Sequence, residues 1–114
     1  MKNPDVRLYI NDMIENADKI LKKTQGMTLQ DIKNDEFFQM GIERAFTIIG
    51  EAANRIPKER QQEYPTIPWS KIIALRNILI HTYDKVDAEE LYKIIEQDLP
   101  ELKAELDKIW LEIK

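Results

Sequence analysis

The sequence predicts an all-α fold, an antiparallel helical bundle of four to five helices forming one domain over residues 1–114. Three observations lead there. Apolar residues recur at helical spacing along almost the whole chain. Glycine is scarce, three in 114 residues, and the five prolines fall where segments meet. No stretch shows the two-residue alternation of a half-buried strand.

The first helix is expected over 5–24, capped by Asp5. Leu8, Ile10, Met13, Ala17, Ile20 and Leu21 give it one apolar face, and Gln25-Gly26-Met27 ends it. Residues 28–34 form a connector with room for a single turn. The second helix is expected over 35–56. Phe38, Ile42, Phe46, Ile49, Ala53 and Ile56 fall within a sector of about 120° on a helical wheel, and Pro57 closes the helix. Gly50 costs about 1 kcal/mol relative to alanine inside a helix, so its small size points to close approach by another helix or a ligand. Residues 57–68 are polar and rich in proline, with a short helical turn near 58–63. The third helix is expected over 69–83. Asp87 opens the fourth, with Glu90 three residues on as a capping-box partner. Pro100 suits the first turn of a fifth helix, whose apolar face is Leu102, Leu106, Ile109, Trp110 and Ile113. Trp69 and Trp110 read as core residues.

Composition narrows the function classes. With 43% apolar and 33% charged residues the chain is ordinary for a globular domain. The absence of cysteine suits a reducing cytoplasm and leaves no disulfide framework. No apolar run approaches the roughly 18 residues of a membrane span, and the first five residues lack the apolar stretch of a secretory leader. A net charge of −4 weighs against holding nucleic acid by bulk charge, and no DNA partner is expected. A local basic site, or one built where two subunits meet, stays open. One histidine and no cysteine leave no ligand set for zinc, so no metal or other cofactor is expected.

The densest polar signal is Arg76-Asn77-Ile78-Leu79-Ile80-His81-Thr82-Tyr83, which holds the only histidine. With Arg76 at 0° on a wheel of about 100° per residue, the apolar residues Trp69, Ile72, Ile73, Leu79 and Ile80 lie within about 60° of it, and Tyr83 within about 20°. Asn77 and His81 lie on the flank, near about 100° and 140°. An arginine on an apolar stripe cannot shed its proton, so it must be paired, open to a groove, or covered by a partner. An ion pair with Glu43 or Glu51 is one reading and an anion site is the other. His81 reads either as a surface residue or as a proton carrier. Tyr83 reads as core packing with its hydroxyl at the rim. Glu43, Thr47, Gly50 and Asn54 run along one edge of the second helix, as a solvated flank or as a wall of the same cleft. Arg76 and His81 are about 140° apart on an ideal helix, so a kink, a helix end near His81, or a second copy of the chain is needed to join them.

The R-N-x-x-x-H-x-Y pattern of Arg76, Asn77, His81 and Tyr83 resembles the signature of HEPN domains, specifically the HepT-like toxins of the HepT/MntA type. Flanking words agree: Ile48-Ile49-Gly50-Glu51-Ala52, Ile67-Pro68-Trp69, Val86-Asp87 and Asp98-Leu99-Pro100. The likeness covers nearly the whole chain. It implies a helical bundle that forms a homodimer, with two motifs meeting near the interface as a metal-independent ribonuclease site. It implies a minimal nucleotidyltransferase as antitoxin, which transfers AMP to the motif tyrosine. By resemblance, Arg76 and His81 are catalytic, Asn77 supports them, and Tyr83 is the AMPylation site. The residues suit that chemistry. RNA brings its own 2′-hydroxyl nucleophile, imidazole moves protons at neutral pH, and guanidinium holds phosphate in a fork. The competing expectations are a non-catalytic module that binds substrate for a nucleotidyltransferase, and a purely structural dimeric bundle.

Overall fold

Helix starts follow from local capping chemistry. The computed structural model describes residues 5–81 and 86–113. Asp5 accepts the Arg7 amide at 3.0 Å and opens α1, Val6–Thr24. Gly26, at φ +79°, supplies the left-handed residue that turns the chain after α1. Thr28 and Asp31 then form a full capping box for α2, Leu29–Lys33. Asp35 caps α3, Glu36–Arg55, through the Phe38 amide. The short α4, Lys58–Gln61, follows Pro57, and α5 runs Trp69–His81. Asp87 caps α6, Ala88–Lys93, through the Glu89 amide. The reciprocal capping box expected at Asp87 and Glu90 is found instead at Thr28 and Asp31.

The fourth and fifth helices of the sequence reading are one rod. A π-helical turn, Ile94–Asp98, joins α6 to α7, Leu99–Glu112. Proline explains the wide turn. Pro100 has no amide hydrogen and its ring crowds the carbonyl four residues back. The Leu99 amide reaches back five residues to the Ile94 carbonyl, and the chain stays helical through the proline.

The bundle is all-α and antiparallel, as expected. Its centre is α1 against α3, with α5 laid on α3 and α7 on α1. Ile10, Met13, Ile49, Leu99 and Leu106 are fully buried between them, each worth about 1.5–3 kcal/mol of burial. Among the described residues, α5 packs chiefly on α3. Two apolar positions depart from the wheel. Leu8 is 62% exposed, and Val6 takes its place in the core. Ile80 is 44% exposed because α5 is apolar on all sides yet rests on one neighbour. Among the described residues, no helix is long and apolar enough to cross a membrane.

Candidate active site

The site is built on α5 and on what holds that helix in place. Trp69 is the one buried residue of α5, and its indole Nε1 donates to the carbonyls of Gln61 at 3.0 Å and Tyr64 at 3.1 Å. Ile67, two residues earlier, is buried beside it. These anchors fix the start of α5. One helical contact fixes its middle. A β-carbon on Gly50 would collide with the Arg76 β-carbon, and would lie 2.9 Å from Arg76 Cγ and 3.1 Å from the Ile72 carbonyl oxygen. Gly50 is therefore the point where α5 rests on α3. What comes close there is a helix, and specifically the root of the arginine.

Arg76 is half-buried, with its stem against α3 and Nε sealed from solvent without a hydrogen-bond partner. Its Nη1 donates to Asn77 Oδ1 at 2.8 Å. Among the described residues it forms no ion pair. Glu51 stands 4.0 Å from Arg44, and Glu43 accepts from the Gln39 side chain at 3.3 Å. A guanidinium that cannot deprotonate and has no carboxylate partner among the described residues keeps its full charge for an incoming anion. Its fork of donors matches a phosphate.

His81 is exposed at the last described residue of α5 and makes no hydrogen bond among the described residues. Arg76 faces inward and His81 outward, so a single chain does not turn both to one point. Asn77 is exposed on the flank between them and orients the guanidinium. Tyr83 lies outside the described residues. Of the proposed cleft wall, Thr47 is buried and spends its hydroxyl on the Glu43 carbonyl at 2.9 Å. Glu43 is half-exposed and Gly50 sits under Arg76. Asn54 lines a cleft that also contains Asn77.

That cleft, about 480 Å³, lies on one side of α5, between the C-terminal end of α3, α4 and the α5 residues Ser70, Ile73, Ala74 and Asn77. Arg55 and Lys58 stand on its rim, and neither was singled out from the sequence. The available signal was the spacing: two cations three residues apart across Pro57, at the end of a helix whose next face carries Asn54. A second groove, about 660 Å³, lies on the opposite side of α5, facing the π-turn and α7.

The chain that carries this helical bundle matches a known family in sequence. The model of the family described as Ribonuclease HepT-like matches residues 13–109. A Methanocaldococcus jannaschii protein named as an RNase is 33% identical over 107 residues, covering 94% of this chain and 98% of that one. A Thermococcus cleftensis protein named as a ribonuclease HepT is 35% identical over 101 residues, covering 89% of this chain and 92% of that one. No solved structure matches the chain. The chain belongs to the HepT-like ribonuclease family.

Proposed function

We propose that this ribonuclease is a metal-independent endoribonuclease working as a homodimer, and that it is the toxin of a pair whose antitoxin is a nucleotidyltransferase. The observation that carries the reading is Arg76: a half-buried cation without a carboxylate partner among the described residues, its Nε dry and its Nη1 held by Asn77. That geometry suits a phosphodiester. RNA supplies the nucleophile, so the protein has to hold the phosphate and move two protons. The 2′-oxygen attacks phosphorus and gives its proton to one imidazole. The bond from phosphorus to the 5′-oxygen breaks, and a second imidazole protonates the leaving oxygen. The products are a 2′,3′-cyclic phosphate and a 5′-hydroxyl.

Each chain has one histidine, so two chains supply the acid and the base. The outer side of α5 supports that arrangement. Ile78 and Ile80 are 50% and 44% exposed on an apolar helix that packs chiefly on α3. A second α5 would cover them and bring the partner's histidine toward Arg76. Tyr83 is two residues beyond His81. An adenylyl group there would add bulk and negative charge two residues from His81 and compete with the RNA phosphate.

The experiment is RNA digestion in EDTA, with the new ends analysed chemically. Wild-type cleavage leaving cyclic phosphate supports the reading, and a strict need for added metal sinks it. The antitoxin half is tested by intact mass after incubation with the partner transferase and ATP. Adenylyl groups are expected on the wild type and absent from Tyr83→Phe. Tyr92 is the natural control acceptor. Burial and a hydrogen bond to Glu96 push its phenol above the usual tyrosine range. Equal labelling of wild type and Tyr83→Phe would remove Tyr83 from the mechanism.

A further inference from the structure

The cleft beside Asn77 has features that the cleavage step does not use. Its frame is rigid. Gln61 Nε2 bridges the carbonyls of Ala53 and Ile56, each at 3.1 Å, and ties α4 to the end of α3. Ile56 is buried beneath that bridge, and the indole of Trp69 fastens the far side. On this frame stand two cations, Arg55 and Lys58, both exposed and without an ion pair among the described residues. Among the described residues, no carboxylate lines the cleft. The other polar side chains of the lining are uncharged: Asn54, Ser70, Asn77 and the Gln61 of the frame.

Asn77 links this cleft to the arginine. Arginine only donates, so the amide oxygen of Asn77 must face Arg76. Its Nδ2 then has no partner among the described residues and is left as a donor for a ligand. A strand whose phosphate sits on Arg76 would pass Asn77 on its way into the cleft. Two cations with neutral amides and a hydroxyl fit a ribose-phosphate backbone, and they read no particular base.

We propose that this cleft is a second phosphate-binding subsite, in which Arg55 and Lys58 hold the RNA backbone next to the bond that is cut. The proposal rests on the reading of Arg76 as the site of the scissile phosphate. It resolves a conflict in the composition. A chain of net charge −4 binds polyanion poorly by its overall field, so it needs a local basic track leading to the reactive phosphate.

The test uses the full chain and a fluorescein-labelled 2′-O-methyl oligonucleotide of about twelve nucleotides, long enough for one single-strand site and resistant to cleavage. Binding is followed by anisotropy over a range of salt for wild type, Arg55→Ala/Lys58→Ala, the charge-preserving Arg55→Lys/Lys58→Arg, and Lys22→Ala/Lys23→Ala at the distant end of α1. Each single-strand phosphate contact contributes about 0.7 to the slope of log affinity against log salt. The double alanine variant should therefore lose about 1.4 from the slope and bind about 10- to 30-fold more weakly near 0.1 M salt. The charge-preserving and α1 variants should bind as wild type does. An unchanged slope in the double alanine variant, an equal loss in the α1 variant, or no binding by wild type overturns the subsite. A dinucleoside monophosphate, which has only the scissile phosphate, separates the subsite from the nuclease reading. The double alanine variant should cleave it as wild type does, while its KM for longer RNA rises. If wild type cleaves neither substrate the nuclease reading fails, and the anisotropy series still decides the subsite.

Discussion

The two hollows beside α5 share a wall and differ in everything else. On one side, Arg55 and Lys58 rim a polar cleft with no carboxylate among the described residues. On the other, the groove has an apolar floor of Phe46, Ile49 and Leu99, and Asp98, Glu101 and Glu105 outnumber Lys71 at its edge. Glu105 also accepts the Thr66 hydroxyl at 3.0 Å, which fixes one carboxylate in place. A polyanion is drawn to the first side and repelled by the second. Volume points the other way, since the acidic groove is the larger at about 660 Å³. For an RNA-cutting protein the sign of the charge decides, because phosphate contacts dominate affinity. Arg76 roots in the wall between the two, and its contact to Asn77 leans toward the basic side.

The largest effect should come from that wall itself. Arg76→Ala and His81→Ala should each lower RNA cleavage by about 10²–10⁴-fold, the usual cost of losing a general acid–base or a charge-stabilising donor. Circular dichroism checks that both fold. Equal cleavage by all three folded proteins would place the activity elsewhere.

Next in size is the outer face of α5. Ile78→Asp with Ile80→Asp would put two unpaired charges into the proposed dimer interface. Dimer affinity should fall by about 100-fold or more, with cleavage falling in parallel. Light scattering across a concentration series tests this. A wild type that is already monomeric at tens of micromolar (about the range where weak interfaces dissociate) removes the dimer.

Gly50→Val tests whether the wall depends on the closeness of α3 and α5. Replacing glycine inside a helix ordinarily favours folding by a few tenths to about 1 kcal/mol. Here the added side chain meets Arg76 Cβ and the Ile72 carbonyl, and neither moves unless α5 does. Overpacking should win, with a net loss of about 1–3 kcal/mol in urea unfolding and a displaced guanidinium. Unchanged stability would show that α5 is free to slide. The smallest effect belongs to the acidic groove. Asp98→Asn with Glu101→Gln should change RNA affinity by less than about two-fold at physiological salt, since screening acts over about 8 Å. A large gain or loss would mean that RNA also visits that side.

Much of this was legible without coordinates. Asp5, Asp35, Asp87 and Gly26 mark element ends because capping and left-handed turns are local chemistry, decided by a side chain and the nearest amides. The apolar stripe of α3 was readable because α3 packs on α1, α5 and α2 and buries a wide face. Leu8 and Ile80 misled because periodicity says which residues share a face and is silent on whether that face has a neighbour. The rod through Pro100 was hidden because proline marks a possible break, and only the packed chain shows a π-turn absorbing it.

The sequence by itself determined the all-α class, the helix starts, and the grouping of Arg76, Asn77 and His81 on one helix, since these follow from neighbours within a few residues. Tertiary structure decided the rest. It seats Arg76 over Gly50, turns Asn77 onto its guanidinium, and joins Arg55 and Lys58 to Asn77 across a cleft. Those relations depend on how α3 and α5 cross, 26 residues apart in sequence at Gly50 and Arg76. The packing of two surfaces sets that crossing, and no local pattern encodes it.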